Sequence, residues 1–441
     1  MSRRPGRWAL RLALAAVLAA PVSGGGGTGV APTPRAGEAR TTRVYVGTYT
    51  GGASRGIYRL EFEPASGGWV SGPVLAAPSE NPSFLALGPD GRFLYAVNEL
   101  QAFQGRPTGA VSAFAVDAAT GRLDLLNQQP SEGADPCHLV VDPAGRNVLV
   151  ANYTSGTVAV LPASPDGRLR RASAVRRVTG SGPVRVRQQG PHAHMVVLDG
   201  AARFAIWTDL GADRVRIDRF DAAAGQLEPN DPEGVAIQPG SGPRHVAWHP
   251  SGRALYLLNE LSSTVSALRF DAARGVLEVF QTLPARAEGA RGESLAAEIA
   301  VAPDGRFLYA SNRGDDTIAV FAIDAATLSL SRAGHVPTGG RTPRSFAIDP
   351  SGRWLIAANQ ESSSLVVFRL DPVTGLPVAV GAPVTVPQPV CVLFVPATPK
   401  VRKAPDPWLP TMRASPSRGP CSCPRRPAPR CSSSAACPAS S

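Results

Sequence analysis

The chain has 441 residues, of which 43% are hydrophobic, and carries 45 Lys and Arg against 34 Asp and Glu, a formal net charge of +11. The excess lies at the two ends: residues 1–40 hold six Arg and one Glu, residues 398–441 hold eight Lys and Arg and one Asp, and the stretch between them has a net charge of −1. A near-neutral body without basic runs excludes the charged surface of a nucleic-acid-binding protein, so we expect no nucleic-acid partner.

The N-terminus resembles a secretory signal peptide. Three arginines within the first seven residues precede an Ala- and Leu-rich stretch from Trp8 to Ala20, which is too short to span a membrane. We predict a signal peptide over residues 1–22 and a flexible linker, rich in Gly, Thr and Pro, over residues 23–40. The mature protein would be periplasmic or extracellular, without a membrane span; if the leader does not function, the protein stays in the cytoplasm.

One pattern returns seven times between residues 41 and 397, about fifty residues apart. Each copy has a short polar opening, an apolar run, a tight turn, and a second apolar run that ends at a polar pair. The turns combine Pro, which fixes φ, with Gly, which accepts a positive φ, as in Pro89-Asp90-Gly91-Arg92. A later turn signal, as at Ala119-Thr120-Gly121, marks another hairpin. Four short strands per copy predict an all-β protein with one domain, a seven-bladed β-propeller over residues 41–397.

The two ends of the array complement each other. At the N-terminal end, Arg43 to Tyr49 matches a second strand but has no first strand before it. At the C-terminal end, Val390 to Val395 matches a first strand but has no second strand after it. We expect the C-terminal strand to complete the N-terminal blade, because a closed ring leaves no open sheet edge between the ends.

Beyond residue 397 the chain becomes rich in Pro, Ser, Ala and Cys and shows no pattern that would bury a core. We predict a disordered tail over residues 398–441. Four of the six cysteines lie there, at spacings that match no zinc site well. The other two, Cys137 and Cys391, lie in the openings of well-separated repeats, so we expect no disulfide between them.

The opening residues differ between repeats although the turns hardly do. Neighbouring strands of a blade are antiparallel, and the innermost strands line the channel, so openings and exits should meet at one rim. Diversity at equivalent positions of a repeated scaffold is typical of a functional site. Aligned at the last opening position, the residues are Phe84, His138, His194, His245, Glu298, Ser345 and Cys391, with Arg244 and Arg344 one position earlier.

Each of these residues also has a structural explanation. Any one of the histidines is well explained as a hydrogen-bonded residue at a strand end. The asparagines that end the second strands, such as Asn259 and Asn312, recur so regularly that we interpret them as strand terminators. Glu260 and Arg313 follow such asparagines but vary between blades, which leaves a functional role open for both.

Seven motifs stand at the openings and exits of the later repeats. They are Gly190-Pro191-His192-Ala193-His194, Thr208-Asp209-Leu210-Gly211, Gly242-Pro243-Arg244-His245, Leu258 to Val265, Ala297-Glu298-Ile299, Tyr309 to Gly314 and Thr342-Pro343-Arg344.

Together these motifs resemble the seven-bladed β-propeller lactonase family, which includes propeller-type 6-phosphogluconolactonase and the fungal carboxy-muconate cyclase. The resemblance covers nearly all of residues 41–397, although residues 184–187 and 206–207 depart from the expected pattern. It implies a metal-independent site, without a cofactor, on the channel rim. The implied catalytic residues are His194 (or His192), Arg244, Glu260 and Arg313.

Lactone opening fits these residue types. A histidine can activate water near neutral pH, and Arg244 or Arg313 would stabilise the oxyanion of the tetrahedral intermediate. The other arginine would pair with a phosphate or carboxylate of the substrate, and Glu260 would orient the base or one arginine. A metal-dependent route would need several converging carboxylates, whereas this rim offers mainly Arg and His. The residues expected to contact substrate are His138, His192, His245, Glu298 and Arg344.

The sequence therefore predicts a monomeric lactonase, a carboxylic ester hydrolase that acts on an anionic sugar lactone and most resembles 6-phosphogluconolactonase. Two alternatives stay open: a non-catalytic exported propeller that binds a ligand or protein at the same rim, and a lactonising cyclase of the muconate type. Export would argue against a role in cytosolic sugar-phosphate metabolism, because phosphorylated sugar lactones are made inside the cell.

Overall fold

A computed structural model describes residues 41–395. The predicted signal peptide (1–22), linker (23–40) and tail (398–441) lie outside these residues and stay predictions. Within the described range every regular element is a β-strand, and no helix is long and apolar enough to cross a membrane. The strands are β1 (Thr42–Thr48), β2 (Gly56–Glu63), β3 (Gly68–Trp69), β4 (Val74–Pro78), β5 (Leu85–Leu87), β6 (Phe93–Asn98), β7 (Ala110–Val116), β8 (Leu123–Pro130), β9 (Pro136–Val141), β10 (Asn147–Asn152), β11 (Thr157–Pro162), β12 (Ala174–Arg177), β13 (Ala193–Leu198), β14 (Phe204–Asp209), β15 (Arg214–Asp221), β16 (Gln226–Ala236), β17 (Pro243–Trp248), β18 (Ala254–Asn259), β19 (Thr264–Asp271), β20 (Val276–Pro284), β21 (Leu295–Val301), β22 (Phe307–Arg313), β23 (Thr317–Ile323), β24 (Leu330–Pro337), β25 (Pro343–Ile348), β26 (Trp354–Asn359), β27 (Ser364–Leu370), β28 (Pro377–Thr385) and β29 (Pro389–Phe394).

The strands form seven antiparallel sheets, six of four strands and one of five. The first blade contains β29 and β1 to β4, and the second to seventh blades are β5–β8, β9–β12, β13–β16, β17–β20, β21–β24 and β25–β28. The innermost strands of neighbouring blades contact each other around the whole ring. The predicted all-β seven-bladed propeller is confirmed.

The first blade joins the two ends of the ring. β29 pairs antiparallel with β1, with Val392 opposite Val46 and Phe394 opposite Val44. These four residues share a buried cluster with Trp354 of the seventh blade. The C-terminal strand therefore completes the N-terminal blade, as predicted, and both backbone pairing and apolar burial hold the ring closed.

The second strand of a blade is buried on both faces because the blades pack against each other. All six residues of β14 and all six of β18 are buried, which explains why these strands appear in the sequence as continuous apolar runs. Seven buried clusters each combine residues of two neighbouring blades. The core thus lies between the blades.

One face of the ring carries the turns between first and second strands and between third and fourth strands. A repeated hydrogen bond links neighbouring blades on this face. The hydroxyl of Tyr309 on β22 donates to the carbonyl oxygen of Gly375, in a turn of the next blade, at 2.8 Å. Tyr45, Tyr95 and Tyr256 make the equivalent contact. Gly375 has a φ of 73°, and a Cβ there would lie 2.4 Å from the ring of Phe307, so this turn requires glycine.

Candidate active site

An irregularity recurs where the innermost strand of a blade begins. In the third, fifth and seventh blades a proline lies opposite the asparagine that ends the second strand, and the residue after the proline has no partner on that strand. Two residues then oppose one, which is a β-bulge, and a bulge redirects a side chain next to the strand end. The bulged residues are Cys137, Arg244 and Arg344.

The fourth blade corrects our alignment of the repeats. Its bulged residue is His194, which is therefore equivalent to Arg244 and Arg344. The sequence alignment had placed His194 level with His245, but Met195 holds that position. The alignment slipped by one residue because a bulge adds a residue without changing the apolar pattern around it.

The carboxylate of Glu260 is the centre of a cluster at the rim. Arg244 Nε lies 2.8 Å and Arg313 Nη2 3.1 Å from Oε2 of Glu260, and Arg187 Nη2 lies 2.6 Å from Oε1. Arg244 opens the fifth blade, Glu260 follows β18 of the same blade, and Arg313 ends β22 of the sixth. Opening and exit residues thus meet at one rim, as predicted. We call these four residues the rim cluster.

Charge in the rim cluster is unbalanced. Burial alone would raise the pKa of Glu260, but Arg313, Arg244 and Arg187 together lower it to about 2. The carboxylate is therefore ionised and occupied by its partners, which suits a positioning role better than that of a base. Burial lowers the pKa of Arg313 to about 9, and the nearby cations Arg244 and Arg344 add to that effect although Glu260 opposes it. The cluster is short of negative charge.

Arg187 was missed by the sequence analysis. It lies in the loop between β12 and β13, outside the repeated pattern, so periodicity carried no signal for it. The departure of residues 184–187 from the family pattern was the only hint. Its hydrogen bond to Glu260 makes it a full member of the rim cluster.

A second charged group lies at the exits of the first two blades. The hydroxyl of Tyr49 donates to Glu99, with both carboxylate oxygens at 2.9 Å, and accepts a hydrogen bond from Nη2 of Arg344 at 2.9 Å. Arg344, a predicted substrate contact, is thus held in place by two residues that the sequence analysis did not select. The residues at the exit positions vary between blades, and this signal, which indicated a possible role for Glu260, could also have indicated one for Tyr49 and Glu99.

The residues one position further from the rim form a buried layer. The ring of His138 lies 4.1 Å from that of Phe84 and 5.8 Å from that of His245. Nδ1 of His245 lies 2.8 Å from Oε1 of Glu298, and Nε2 of His245 is buried without a partner among residues 41–395. The predicted substrate contacts His138, His245 and Glu298 therefore lie beneath the bulged residues, with the ring of His194 at 5.1 Å from that of His245.

The three buried histidines are neutral at physiological pH. Burial lowers the pKa of His194 well below 6.5, and Arg244 lowers it further. Burial does the same to the pKa values of His138 and His245, while it raises the pKa of Glu298 to about 7. A neutral imidazole keeps a free lone pair, which a general base requires, but the lowered pKa makes His194 a weaker base than a histidine of ordinary pKa.

His194 borders a narrow space in the channel. Its Nδ1 lies 3.8 Å from Sγ of Cys137. The space has a volume of about 10 Å³ and is also lined by Arg244, Arg344 and Glu99, which is room for about one water molecule. A larger cavity of about 670 Å³ lies at the turns of the opposite face and contains none of the candidate residues.

His192 lies at the rim outside the bulge. Its ring stacks on Tyr153 with the centroids 4.6 Å apart, and its Nδ1 lies 3.0 Å from the carbonyl oxygen of Tyr153. The hydroxyl of Tyr153 accepts a hydrogen bond from Nη2 of Arg187 at 3.2 Å. His192 is therefore linked to the rim cluster through Tyr153 and lies within reach of a ligand there.

Two structural interpretations of the sequence are confirmed. The asparagines at the strand ends are buried, and several tie the strand end to the connection from the preceding blade, as in the 2.9 Å hydrogen bond from Nδ2 of Asn312 to the carbonyl of Ala285. Cys137 and Cys391 are free and buried.

The described part of the chain contains no group of three or more His, Cys, Asp and Glu side chains placed to hold a metal ion. The groups that converge on the rim are mainly guanidinium groups, which repel a cation and attract an anion.

Residues 43–394 match a family of known proteins, described as lactonase, 7-bladed β-propeller. The chain is 36% identical over 351 residues to the 6-phosphogluconolactonase of Bacillus subtilis (strain 168), a match that covers 80% of this chain and 97% of that protein.

Two solved structures are similar over the whole propeller. One, described as that of a candidate 6-phosphogluconolactonase of Bacteroides fragilis, has 37% sequence identity and a TM-score of 0.76 and covers 82% of this chain and 100% of its own. The other is the periplasmic gluconolactonase of Pseudomonas aeruginosa, with 35% identity, a TM-score of 0.76 and the same coverage.

Proposed function

The chain belongs to the lactonase family of seven-bladed β-propellers, and from that premise we propose that it opens an anionic sugar lactone at the rim of its channel. It is a lactonase of the 6-phosphogluconolactonase type, an esterase that hydrolyses a cyclic ester. The observation that supports an anionic substrate is the rim cluster itself, in which three guanidinium groups share one carboxylate. An incoming phosphate or carboxylate would supply the missing negative charge.

His194 is the proposed general base. Its neutral imidazole takes a proton from water as the water oxygen bonds to the lactone carbonyl carbon. The same imidazole then returns the proton to the ring oxygen as the C–O bond of the lactone breaks. The product is an open-chain hydroxy acid, and no external oxidant or reductant is consumed.

Arg244 and Arg313 have different proposed roles. Arg244 lines the same narrow space as His194, so it is placed to stabilise the oxyanion that forms beside the base. The side chain of Arg313 is 14% exposed against 3% for Arg244, which makes Arg313 the more accessible to an anionic group of the substrate. Glu260 holds both guanidinium groups in position.

The other predicted contacts divide into two sets. His192 and Arg344 lie at the rim and are proposed to contact substrate directly. His138, His245 and Glu298 lie beneath it and are proposed to shape the floor of the site and to set its electrostatic potential.

Metal independence is part of this proposal. Base, oxyanion donor and anion partner are all supplied by side chains, so a chelator is expected to leave activity unchanged. Full-length protein should be assayed with 6-phosphoglucono-δ-lactone in the presence and absence of EDTA, with the spontaneous hydrolysis rate subtracted. Loss of activity in EDTA would contradict the mechanism, and absence of turnover would favour a binding module.

A second candidate substrate is the uncharged glucono-δ-lactone. It is favoured by the similarity to a periplasmic gluconolactonase together with the predicted leader, because an exported enzyme would meet free sugars more often than sugar phosphates. The same assay with both lactones distinguishes the two candidates through the ratio of their kcat/KM values.

Export is also a proposal. The Arg-rich start and apolar stretch of residues 1–22 support it, as does the periplasmic location of the Pseudomonas relative. Mass spectrometry of the native protein should then find a mature N-terminus about 20–35 residues into the chain. An intact N-terminus in the cytosolic fraction would contradict export and would restore sugar-phosphate metabolism as the setting.

A further inference from the structure

The loop that carries Arg187 is unusually long and well fixed. Residues 178–192 join the third and fourth blades with fifteen residues, whereas the other inter-blade connections have three to ten. Gln188 is buried, and its side chain accepts a hydrogen bond from Val184 N at 3.0 Å and donates one to Leu210 O at 2.9 Å. The backbone amide of Arg187 donates to Val184 O at 2.9 Å. The loop therefore presents Arg187 at a defined position.

The guanidinium of Arg187 bridges the third and fifth blades, which are not neighbours in the ring. Nη2 donates to the hydroxyl of Tyr153, which follows the third blade's β10, and to Oε1 of Glu260, which follows the fifth blade's β18. Arg187 thus extends across the fourth blade, the blade that carries His194. A group bound by Arg187 would lie near the proposed base.

Arg187 is the most accessible cation of the rim cluster. Its side chain is 32% exposed, against 14% for Arg313 and 3% for Arg244. Arg187 also binds Oε1 of Glu260, whereas the other two share Oε2. If Arg187 moved to another anion, Glu260 would keep two guanidinium partners and would remain neutralised.

We propose that Arg187 is the residue that selects for an anionic group on the lactone, by exchanging its contact with Glu260 for charge-assisted hydrogen bonds to that group. The group is a phosphate monoester or a carboxylate remote from the lactone carbonyl. The inference rests on the proposed function and adds to it the residue that sets substrate class. A planar guanidinium with a free edge suits either anion, because both accept paired N–H donors.

The test compares Arg187→Ala with Arg185→Ala, which removes the same charge from an exposed position of the same loop. The readout is selectivity, the kcat/KM for 6-phosphoglucono-δ-lactone divided by that for glucono-δ-lactone. Arg187→Ala is expected to lower selectivity by about 10- to 100-fold, mainly through KM for the phosphorylated lactone, the range for hydrogen bonds to charged groups. Arg185→Ala should leave selectivity unchanged. Arg187→Lys should retain part of the selectivity, since the ammonium group keeps the positive charge but lacks the paired N–H donors of the guanidinium.

The possible failures are distinguishable. If Arg187→Ala lowers both kcat/KM values by the same factor, Arg187 only supports Glu260 and the inference is overturned while the lactonase function stands. A wild-type enzyme that hydrolyses only the uncharged lactone overturns it as well. A wild-type protein that hydrolyses neither lactone contradicts the proposed function and the inference together. If Arg187→Ala does not fold, Arg187→Gln carries the same test, with inhibition of glucono-δ-lactone hydrolysis by inorganic phosphate as a second readout.

Discussion

The two faces of the ring differ in what repeats. On the face that carries the turns, Pro-x-Gly-Arg recurs five times between first and second strands, and the tyrosine-to-carbonyl contact recurs four times. On the other face, equivalent bulged positions hold Cys137, His194, Arg244 and Arg344, and charged groups are buried. The same residue types recur at equivalent positions where only the fold determines them. They differ between blades where the residues contact a ligand. Substitutions on the first face should therefore change stability, and substitutions on the second should change catalysis.

The largest effect is expected at Glu260, because its substitution should change both stability and catalysis. Glu260→Ala leaves three guanidinium groups without their shared anion, and removal of one partner from a buried ion pair costs about 3–5 kcal/mol. We expect a loss of this size in the free energy of unfolding by urea denaturation, together with at least a ~10²-fold loss in kcat/KM. Glu260→Gln, which keeps the shape, should lie between. A fully active, equally stable Glu260→Ala variant would contradict the role given to the rim cluster.

The two inner arginines should separate kinetically. Arg244→Ala is expected to lower kcat by about 10²–10³-fold through lost oxyanion stabilisation, whereas Arg313→Ala should mainly raise KM for a phosphorylated lactone. Steady-state kinetics of both variants tests this. Identical changes in kcat and KM would show that the two guanidinium groups act as one unit.

On the opposite face, Gly375→Ala should destabilise the fold and spare catalysis. Its positive φ disfavours alanine by about 1–2 kcal/mol, and the added Cβ would meet Phe307. Gly91→Ala is the matched control, because Gly91 has a φ of 70° with no atom within 4 Å of the added Cβ. Thermal melts should show the larger loss for Gly375→Ala, with kcat unchanged in both. A loss of kcat without a loss of stability would break the division between the faces.

The buried histidines should make the fold sensitive to acid. Their folded pKa values lie below 6.5, so the unfolded chain binds more protons as the pH falls below 6.5, and stability is lost in that window. Glu298, with a pKa raised to about 7, acts in the opposite direction, since its contribution is lost as the pH rises towards 7. Three histidines outweigh one carboxyl group.

His138→Gln tests this acid sensitivity. The variant should reduce the loss of unfolding free energy between pH 7.5 and 5.5 by up to about 1 kcal/mol, the value for one histidine over one pH unit below its normal pKa. Urea denaturation at the two pH values measures it. An unchanged difference would mean that His138 titrates normally in the folded protein.

The architecture could be predicted from the sequence because Pro and Gly mark the turns of the repeats. The unpaired strands that begin at Arg43 and Val390 also indicate how the ring closes. The repeat pattern predicted the rim positions of Arg244, Glu260 and Arg313, and the family resemblance implied their catalytic roles, which stay predictions. Arg187 was missed, because it lies in a loop that has no counterpart elsewhere in the ring. His194 was aligned one residue away from its true position, because a bulge adds a residue without changing the pattern of apolar residues around it.

We propose that catalysis takes place at the rim and depends on His194. His194 is more buried than a rim residue was expected to be, so glutamine, which can fill more of the space than alanine, is the better replacement. The kcat of His194→Gln for its preferred lactone, measured beside Tyr309→Phe from the opposite face, tests the claim directly. We predict a fall of about 10²–10⁴-fold for His194→Gln and wild-type kcat for Tyr309→Phe. A folded His194→Gln variant with wild-type kcat would show that His194 is not the base.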